Sequence, residues 1–204
     1  AAGDALFVRA RVQPGETVLV HGASGGVGML AVQLAHRIGC VVYGTAGDER
    51  GRTLVERLGA VRAFDHHAEG YLDEILEATD GRGVDAVLDM AAHANLMKDV
   101  RITHTRGRIV VVGSRGSLDF DPRTLMSNDL DVRGMNVNNL RPDEFNLVMH
   151  ALEAALADGM RVVVAQAFPL ANAAEAHRAV EARGKDGKII LVAEVGTRDG
   201  RADA

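Results

Sequence analysis

Cysteine and aromatic residues are scarce in this sequence. Cys40 is the single cysteine, tryptophan is absent, and aromatic residues make up only 3% of the chain. One cysteine excludes an intrachain disulfide and a cysteine-rich zinc lobe within these residues. The net charge is −5, from 23 basic and 28 acidic residues. Few aromatic side chains and no basic excess argue against a nucleic-acid partner.

Long apolar runs are missing as well. No run approaches the roughly 20 apolar residues that a membrane-spanning helix needs, and we expect neither a signal peptide nor a membrane partner. The hydrophobic fraction is 47% over 204 residues. That length suits one large domain, or one domain plus part of another, with a sizeable core. The composition therefore predicts a cytoplasmic enzyme domain.

Short apolar runs alternate with amphipathic stretches along the chain. The runs predict strands at residues 17–21, 40–45, 63–66, 84–90, 108–113, 131–137, 161–168 and 188–192. The amphipathic stretches predict helices at residues 26–38, 48–58, 71–78, 95–103, 143–157 and 172–182. Near-continuous apolar strands separated by helices indicate an α/β fold, a doubly wound parallel sheet with helices on both faces. We also predict a turn at 184–187 and a frayed polar tail at 196–204.

A glycine turn lies between the first predicted strand and the first helix. Ala23-x-Gly25-x-x-Gly28 occupies the place of the G-x-G-x-x-G fingerprint of dinucleotide-binding proteins. In that fingerprint Gly25 lets the backbone approach a pyrophosphate, and Gly28 lets the helix pack closely. The amides at the helix start would hold the phosphates. Ala23 can replace the first glycine if its backbone angles are ordinary, and the lack of a following Gly-Lys-Ser/Thr excludes a P-loop.

The acidic residue that usually follows the second strand is absent from its expected position. Counting about 20 residues from Gly28 reaches Gly47, where a carboxylate would take the ribose 2′-hydroxyl of NAD. A glycine there leaves room for the 2′-phosphate of NADP(H). Nearby donors for that phosphate are Arg50, Arg52 and His66. For each arginine taken alone, a solvent-exposed charge on a helix is the simpler interpretation. A slip of one residue would instead make Asp48 an NAD-type acid.

These stretches together resemble the medium-chain dehydrogenase/reductase superfamily, and within it the quinone oxidoreductases of the zeta-crystallin type. The resemblance covers about residues 5–192 and is carried by "VLVHGASGGVG", "GTAG", "GRGVDAVLDM", "ANLMKD", "RIVVVGSRG" and "AEAHRAVEARGKDGKIILV". Zinc-dependent relatives usually keep the full G-x-G-x-x-G, so Ala23 favours the zinc-free quinone reductases. The resemblance implies an NADPH-dependent transfer of a hydride or electrons to a quinone or related enone.

The resemblance also implies which residues hold the cofactor. Ser24, Gly25, Gly26 and Val27 would form the pyrophosphate turn, and Gly47 and His66 would border the adenosine end. Asn95 would follow the fourth strand. The residues after the fifth strand would line the nicotinamide side, and they are Val112, Gly113, Ser114 and Arg115. Met135, Asn136 and Val137 would touch the nicotinamide from the sixth strand. No catalytic residue is assigned, because the substrate-side groups of the family belong to its N-terminal domain.

Two departures from the family pattern accompany the resemblance. Gly51 stands near the position where many quinone reductases have a lysine that pairs with the 2′-phosphate. The sequence also lacks the family's N-terminal catalytic domain, and we expect a fragment. Accordingly, residues 1–13 are the remnant of an interdomain helix, 14–141 the Rossmann domain, 142–195 a segment that in the family returns to the catalytic domain, and 196–204 a tail.

Other polar groups have simpler roles than a functional site. His66 and His67 could suggest a metal, but adjacent strand residues point to opposite faces, so loop histidines are the better interpretation and no metal is predicted. Asp85 and Asp89 could do acid–base work, although hydrogen bonding to nearby amides fits strand ends better. Cys40 is expected to start a buried strand as a small hydrophobic residue.

Three functions remain open from the sequence. The first is a zinc-independent NADPH:quinone oxidoreductase of which this chain is mainly the cofactor-binding half. The second is a non-catalytic NADPH-binding module or structural protein, and the third is an enoyl reductase of the same superfamily.

Residues 130–137 predict the last strand of the sheet, whose outer edge has unpaired amides and carbonyls. Pairing with a second copy would satisfy them, and the family resemblance also implies a homodimer.

Overall fold

A six-stranded parallel sheet forms the centre of the protein, as seen in a computed structural model that describes residues 1–182 and 186–193. Its strands stand in the order β3-β2-β1-β4-β5-β6, which is the order of a dinucleotide-binding Rossmann fold. They are β1 Thr17–Val20, β2 Val41–Ala46, β3 Arg62–Asp65, β4 Val84–Asp89, β5 Thr103–Val111 and β6 Asp131–Gly134. The predicted fold class is confirmed.

Helices cover both faces of this sheet. They are α1 Gly28–Arg37, α2 Glu49–Arg57, α3 Tyr71–Ala78, α4 Ala92–Ile102, α5 Arg123–Met126, α6 Pro142–Ala157 and α7 Ala173–Glu181. A π-helix, Asp4–Ala10, precedes β1, and two short 3₁₀ segments occupy Val137–Asn139 and Leu170–Asn172. Two further strands, β7 Val164–Pro169 and β8 Lys188–Val192, pair in parallel as a separate two-stranded sheet.

Two apolar clusters form the core, one on each face of the large sheet. The first joins α1, α2 and α6 to the sheet through residues such as Val32, Val55 and Ala155. The second joins α3 and α4 through residues such as Ile75 and Val100. Because the sheet is buried on both sides, its central strands are apolar along nearly their whole length, as the sequence pattern predicted.

Most predicted elements lie within a few residues of the observed ones, and the larger shifts have physical causes. β5 begins at Thr103, where its pairing with β4 is interrupted by a register shift and Arg106 takes a φ of 63°. β6 ends at Gly134 because the side chain of Asn136 accepts from the amide of Asn138 and starts a 3₁₀ turn. The predicted turn at 184–187 lies partly, and the tail at 196–204 wholly, outside the described residues.

Candidate cofactor site

A cleft of about 740 Å³ opens at the carboxyl end of the sheet, between the segments that follow β1 and β4. The strand order reverses between these two strands, and ligands of open α/β sheets bind at such a switch point. The residues that line it are His21, Gly22, Ser24, Gly25, Thr45, Ala46, Gly47, Asp48, His66, His67, Met90, Ala91, Ala94, Asn95, Ala182 and Asp186. Five predicted site residues therefore meet in one cleft: Ser24, Gly25, Gly47, His66 and Asn95.

The turn after β1 has the geometry that its glycines predict. Gly22 takes a φ of 58°, and Ala23 is not among the residues of positive φ, so alanine is accommodated there as expected. A Cβ on Gly28 would lie 2.5 Å from the carbonyl oxygen of Gly22. Only a glycine permits that approach, so Gly28 holds the helix start against the turn. A Cβ on Gly25 would meet only that same oxygen, at 3.2 Å, among the described residues.

A lysine from the far end of the chain lies over this turn. A Cβ on Gly26 would be 2.9 Å from Nζ of Lys188. An isolated parallel bridge between Gly25 and Gly187 brings the two segments together. Lys188 was not predicted from the sequence, because no local pattern connects residues that are more than 150 positions apart. It places an ammonium group beside the amides that would hold a pyrophosphate.

Two imidazole rings border Gly47. A Cβ on Gly47 would lie 3.2 Å from Nε2 of His66 and 3.0 Å from Nε2 of His67, and the two ring centroids are 4.2 Å apart. The expectation that these histidines point to opposite faces was wrong, because β3 ends at Asp65 and both residues occupy the turn beyond it. Their preferred interpretation as loop histidines is confirmed. Burial lowers the pKa of His66.

The other charged groups predicted near the ribose have partners. Arg52 donates to Asp65 at 2.9 Å. Arg50 is 90% exposed and lies 3.8 Å from Asp186. Asp48 caps α2 by accepting from the amide of Gly51 at 2.7 Å, which occupies one oxygen of the proposed NAD-type acid. These contacts leave the two histidines as the hydrogen-bonding side chains that lie closest to Gly47 among the described residues.

A buried polar group forms the floor of the cleft. Nε2 of His21 lies 2.8 Å from Asp99, and its Nδ1 lies 3.2 Å from the hydroxyl of Thr45. That hydroxyl also accepts from the amide of Gly22 at 3.2 Å. On the neighbouring strand Asp89 accepts from the side chain of Asn95 at 3.1 Å. The floor therefore ties the glycine turn to β2 and α4.

The comparison with known proteins agrees with this geometry. Residues 26–154 match the family model described as zinc-binding dehydrogenase. The chain belongs to that family. It is 40% identical over 190 residues to the quinone oxidoreductase of Rattus norvegicus, with 92% of this chain and 58% of that protein covered. It therefore spans about 58% of the length of this curated relative.

Two further similarities extend the comparison. The chain is 36% identical over 188 residues to a phenolphthiocerol/phthiocerol polyketide synthase of Mycobacterium tuberculosis, with 89% of this chain and 8% of that protein covered. The solved structure of Escherichia coli quinone oxidoreductase complexed with NADPH superposes with a TM-score of 0.84 and 25% identity, covering 94% of this chain and 62% of that one. The predicted resemblance to the cofactor-binding half of the superfamily is confirmed.

The family model's name raises the question of zinc. The described residues, 1–182 and 186–193, contain no group of three or more His, Cys, Asp or Glu side chains placed to hold a metal ion. These residues therefore do not fit a zinc site, and no step is assigned to one. In the same ranges, no helix is both long and apolar enough to cross a membrane.

The residues predicted on the nicotinamide side lie beyond the cleft. Val112, Gly113, Ser114 and Arg115 follow β5, and Met135, Asn136 and Val137 follow β6, at the same edge of the sheet. A Cβ on Gly113 would be 2.9 Å from the carbonyl oxygen of Met90, so this loop stays close to the end of β4. His93 accepts from the amide of Arg115 at 3.2 Å and restrains the loop from α4.

The strand carboxylates have the structural role that was expected of them. Asp85 accepts from the amide of Thr17 at 2.8 Å, and Asp89 accepts from the amide of Ala91 at 2.8 Å. Cys40 is buried next to β2. Burial is the main cause that raises the pKa of its thiol to about 11, so Cys40 behaves as the small hydrophobic residue that the sequence predicted.

Proposed function

We propose that this chain is the NADP(H)-binding half of a zinc-independent quinone oxidoreductase that acts in the cytoplasm. The single observation that carries the proposal is the cleft at the switch point, with glycine amides on one wall and two imidazoles on another. The glycines fit a bound dinucleotide because side chains at these positions would fill the space that the ligand needs. The comparisons support an oxidoreductase of this superfamily.

The phosphate end of the proposed site combines three kinds of attraction. The amides of Ser24, Gly25, Gly26 and Val27 precede α1, and that of Gly25 already donates to the carbonyl oxygen of Gly22 at 3.0 Å. The positive end of the helix dipole favours an anion there. The ammonium group of Lys188 lies against Gly26. A charge-assisted contact from this group to a pyrophosphate would be about 2.7–2.9 Å long and stronger than one between neutral groups.

The adenosine end favours a 2′-phosphate for a steric and a chemical reason. Gly47 has no side chain to occupy the space, and His66 and His67 both direct Nε2 toward it. Each imidazole can donate a hydrogen bond to a phosphate oxygen in its neutral or charged form. The carboxylate of Asp186 is the opposing group on the cleft wall, and it lies 3.8 Å from Arg50.

The chemistry of the bound cofactor is hydride donation, while the chain supplies binding and orientation. Residues after β5 and β6 border the expected nicotinamide position, with Val112, Gly113, Ser114, Arg115, Met135, Asn136 and Val137 as the proposed contacts. We assign no catalytic residue. Within residues 142–195, α6 packs on the large sheet. The part of this segment that contains β7 and β8 is proposed to pack on a catalytic domain, since these strands leave apolar side chains such as Val164 and Leu191 exposed.

The decisive experiment measures the affinity of NADPH and NADH by calorimetry. We expect NADPH to bind more tightly, and a His66→Gln/His67→Gln double variant to lose most of that difference while NADH affinity stays unchanged. His177→Gln, an exposed change on α7, is the matched control. Each contact to the phosphate should contribute about 1.5–3 kcal/mol. Equal affinity of the wild-type chain for both cofactors would refute the NADP(H) proposal.

Activity separates the proposed enzyme from a non-catalytic binding module. We expect little turnover of a quinone by this chain with NADPH, because the cleft lacks a wall that orients an acceptor among the described residues. A longer protein that includes the remaining family length should reduce the quinone. If that protein binds NADPH without reducing quinones or α,β-unsaturated thioesters, the binding-module alternative is correct. Preference for the thioester would favour an enoyl reductase.

A homodimer through β6 completes the proposal. β6 pairs with β5 on one side only, within the described chain, so its outer amides and carbonyls can continue the sheet with a second copy. Val132→Pro should weaken this dimer if the Val132 amide faces the partner. Light scattering at micromolar concentration tests both statements. A wild-type monomer would refute the dimer, and a dimer insensitive to proline at every position of 130–137 would refute this interface.

A further inference from the structure

A carboxylate from the C-terminal part of the chain lies in the cofactor cleft. The side chain of Asp186 is 8% exposed, and it lines the cleft together with Gly47 and Asp48. An isolated parallel bridge between Gly25 and Gly187 brings this segment to the glycine turn. Asp186 therefore stands beside the turn, although the two are far apart in the sequence.

The carboxylate of Asp186 reaches the point where β2 ends and α2 begins. A Cβ built on Gly51, in the first turn of α2, would lie 2.9 Å from Oδ1 of Asp186. The same Cβ would lie 3.1 Å from the Cβ of Ala46, the last residue of β2, and 3.1 Å from the hydroxyl oxygen of Ser24. Asp186 thus shares one small space with the glycine turn and the end of β2.

The end of the second strand is where dinucleotide-binding proteins of this fold place an acidic residue. In the fingerprint, that acid accepts a hydrogen bond from the 2′-hydroxyl of the adenosine ribose. This sequence has Gly47 there, and Asp48 uses one carboxylate oxygen to cap α2. Asp186 brings an acid to the same place from a different part of the chain.

The neighbours of Asp186 leave its carboxylate able to accept from a ligand. Its ion-pair partner among the described residues is Arg50, whose Nε lies 3.8 Å from Oδ2. That separation is longer than a hydrogen bond, and the Arg50 side chain is 90% exposed, so water screens the attraction. The first turn of α2 adds the positive end of a helix dipole, which favours a negative charge at this position.

We propose that Asp186 is a specificity-determining residue, which accepts a hydrogen bond from the adenosine ribose of NADH and opposes the 2′-phosphate of NADPH. This role rests on the proposed function. His66 and His67 attract the phosphate, whereas Asp186 repels it, because like charges in a partly desolvated cleft destabilise the complex. The cleft therefore admits both cofactors, and its preference for NADPH is smaller than the two imidazoles alone would produce.

Asp186→Asn tests this role, because asparagine keeps the shape of the side chain and removes its charge. Calorimetry should show NADPH binding about tenfold more tightly than to the wild type, and NADH binding roughly twofold to threefold less tightly. Asp158→Asn is the matched control, since Asp158 is 58% exposed and pairs with Arg37 at the end of α1 away from the turn. An unchanged NADPH-to-NADH affinity ratio in Asp186→Asn would overturn the proposal. An equal loss of affinity for both cofactors would also overturn it, because a purely structural role predicts that result.

An analogue of NADH that lacks the adenosine 2′-hydroxyl tests the hydrogen bond in the wild-type chain. We expect the wild type to bind this analogue about tenfold more weakly than NADH, because a buried carboxylate would then lack its donor. Asp186→Asn should discriminate much less between the two ligands. Equal affinity of the wild type for the analogue and for NADH would refute the hydrogen bond, whether or not the variant folds.

The direction of each change distinguishes the role of Asp186 from the proposed function. If the wild type prefers NADH and Asp186→Asn shifts the ratio toward NADPH, the NADP(H) preference is wrong and the role of Asp186 stands. If the wild type prefers NADPH and the ratio does not move, the proposed function stands and the role of Asp186 is wrong. A wild-type chain that binds neither cofactor would refute both.

Discussion

The two sheets of this protein are both parallel, yet they bury their side chains to very different extents. In β4 every residue but Asp85 is buried, whereas Ile190, Leu191 and Val192 of β8 are 38%, 42% and 49% exposed. Both strands are short apolar runs in the sequence. They differ in what covers them, because helices pack on both faces of the large sheet.

The difference in burial between the two sheets shows that a strand's sequence alone does not decide whether the strand is buried. An apolar run predicts a buried strand only if another element is available to cover it. α1, α2 and α6 lie on one face of the large sheet, and α3 and α4 on the other. The two-stranded sheet has α7 as its neighbouring helix, and of α7 only Ala176 is buried. The stability of the described chain should therefore reside mainly in the six-stranded sheet.

The largest expected effect tests this directly with two leucines. Leu88→Ala in β4 removes a side chain that is fully buried, and should lower the free energy of unfolding by about 2–5 kcal/mol. Leu191→Ala in β8 removes one that is already 42% exposed, and should cost less than about 1 kcal/mol. Urea denaturation of both variants provides the measurement. Similar losses would show that the small sheet is covered in solution.

A smaller effect concerns the turn that joins the large sheet to α1. Gly28→Ala would place a Cβ 2.5 Å from the carbonyl oxygen of Gly22, and the backbone shift should cost about 1–3 kcal/mol. Gly134→Ala in β6 is the matched control, since a Cβ there would meet no atom of the described residues within 4 Å. Thermal unfolding should show a lower Tm for the first variant alone. An unchanged Tm for Gly28→Ala would contradict the close approach.

The smallest expected effect on stability concerns Asp85, at the amino end of the large sheet. Burial of Asp85 disfavours its charge, but hydrogen bonds from Arg82 and from the amide of Thr17 outweigh this and lower its pKa from 3.8. A lowered pKa in the folded state stabilises the protein above the unfolded-state pKa, and this stabilisation disappears as the pH falls through the folded-state pKa.

Asp85→Asn should therefore destabilise the protein by about 1 kcal/mol at neutral pH. The difference from the wild type should shrink as the pH falls below the ordinary aspartate range, where both proteins carry a neutral group at this position. Denaturation curves recorded across that range measure the trend. A difference that persists unchanged at acid pH would show that packing, and not the charge of Asp85, causes the loss.

Most of the large sheet could be predicted from the sequence, and the errors are local. The predicted strands 17–21 and 84–90 each extend one residue beyond the observed β1 and β4. The prediction failed by more at β5, where the chain loops between Thr103 and Arg108 before the main pairing resumes. It failed at His66 as well, because ending β3 one residue earlier changes which way a side chain points. The exact first and last residues of a strand depend on the turns that follow it and on the strands with which it pairs.

The sequence by itself determined the strand, turn and helix around Gly22–Gly28, because the spacing of the glycines between an apolar run and an amphipathic stretch is a local pattern. It also determined that Gly47 leaves space beside the second strand. Only the tertiary structure brought Lys188 over Gly26, both imidazoles to Gly47, and His21 against Asp99. These contacts join residues from different strands and helices, and their geometry follows from how the sheet is ordered and covered. The chemistry of the proposed site therefore depends on distances between residues that are far apart in the sequence, and no local pattern predicts those distances.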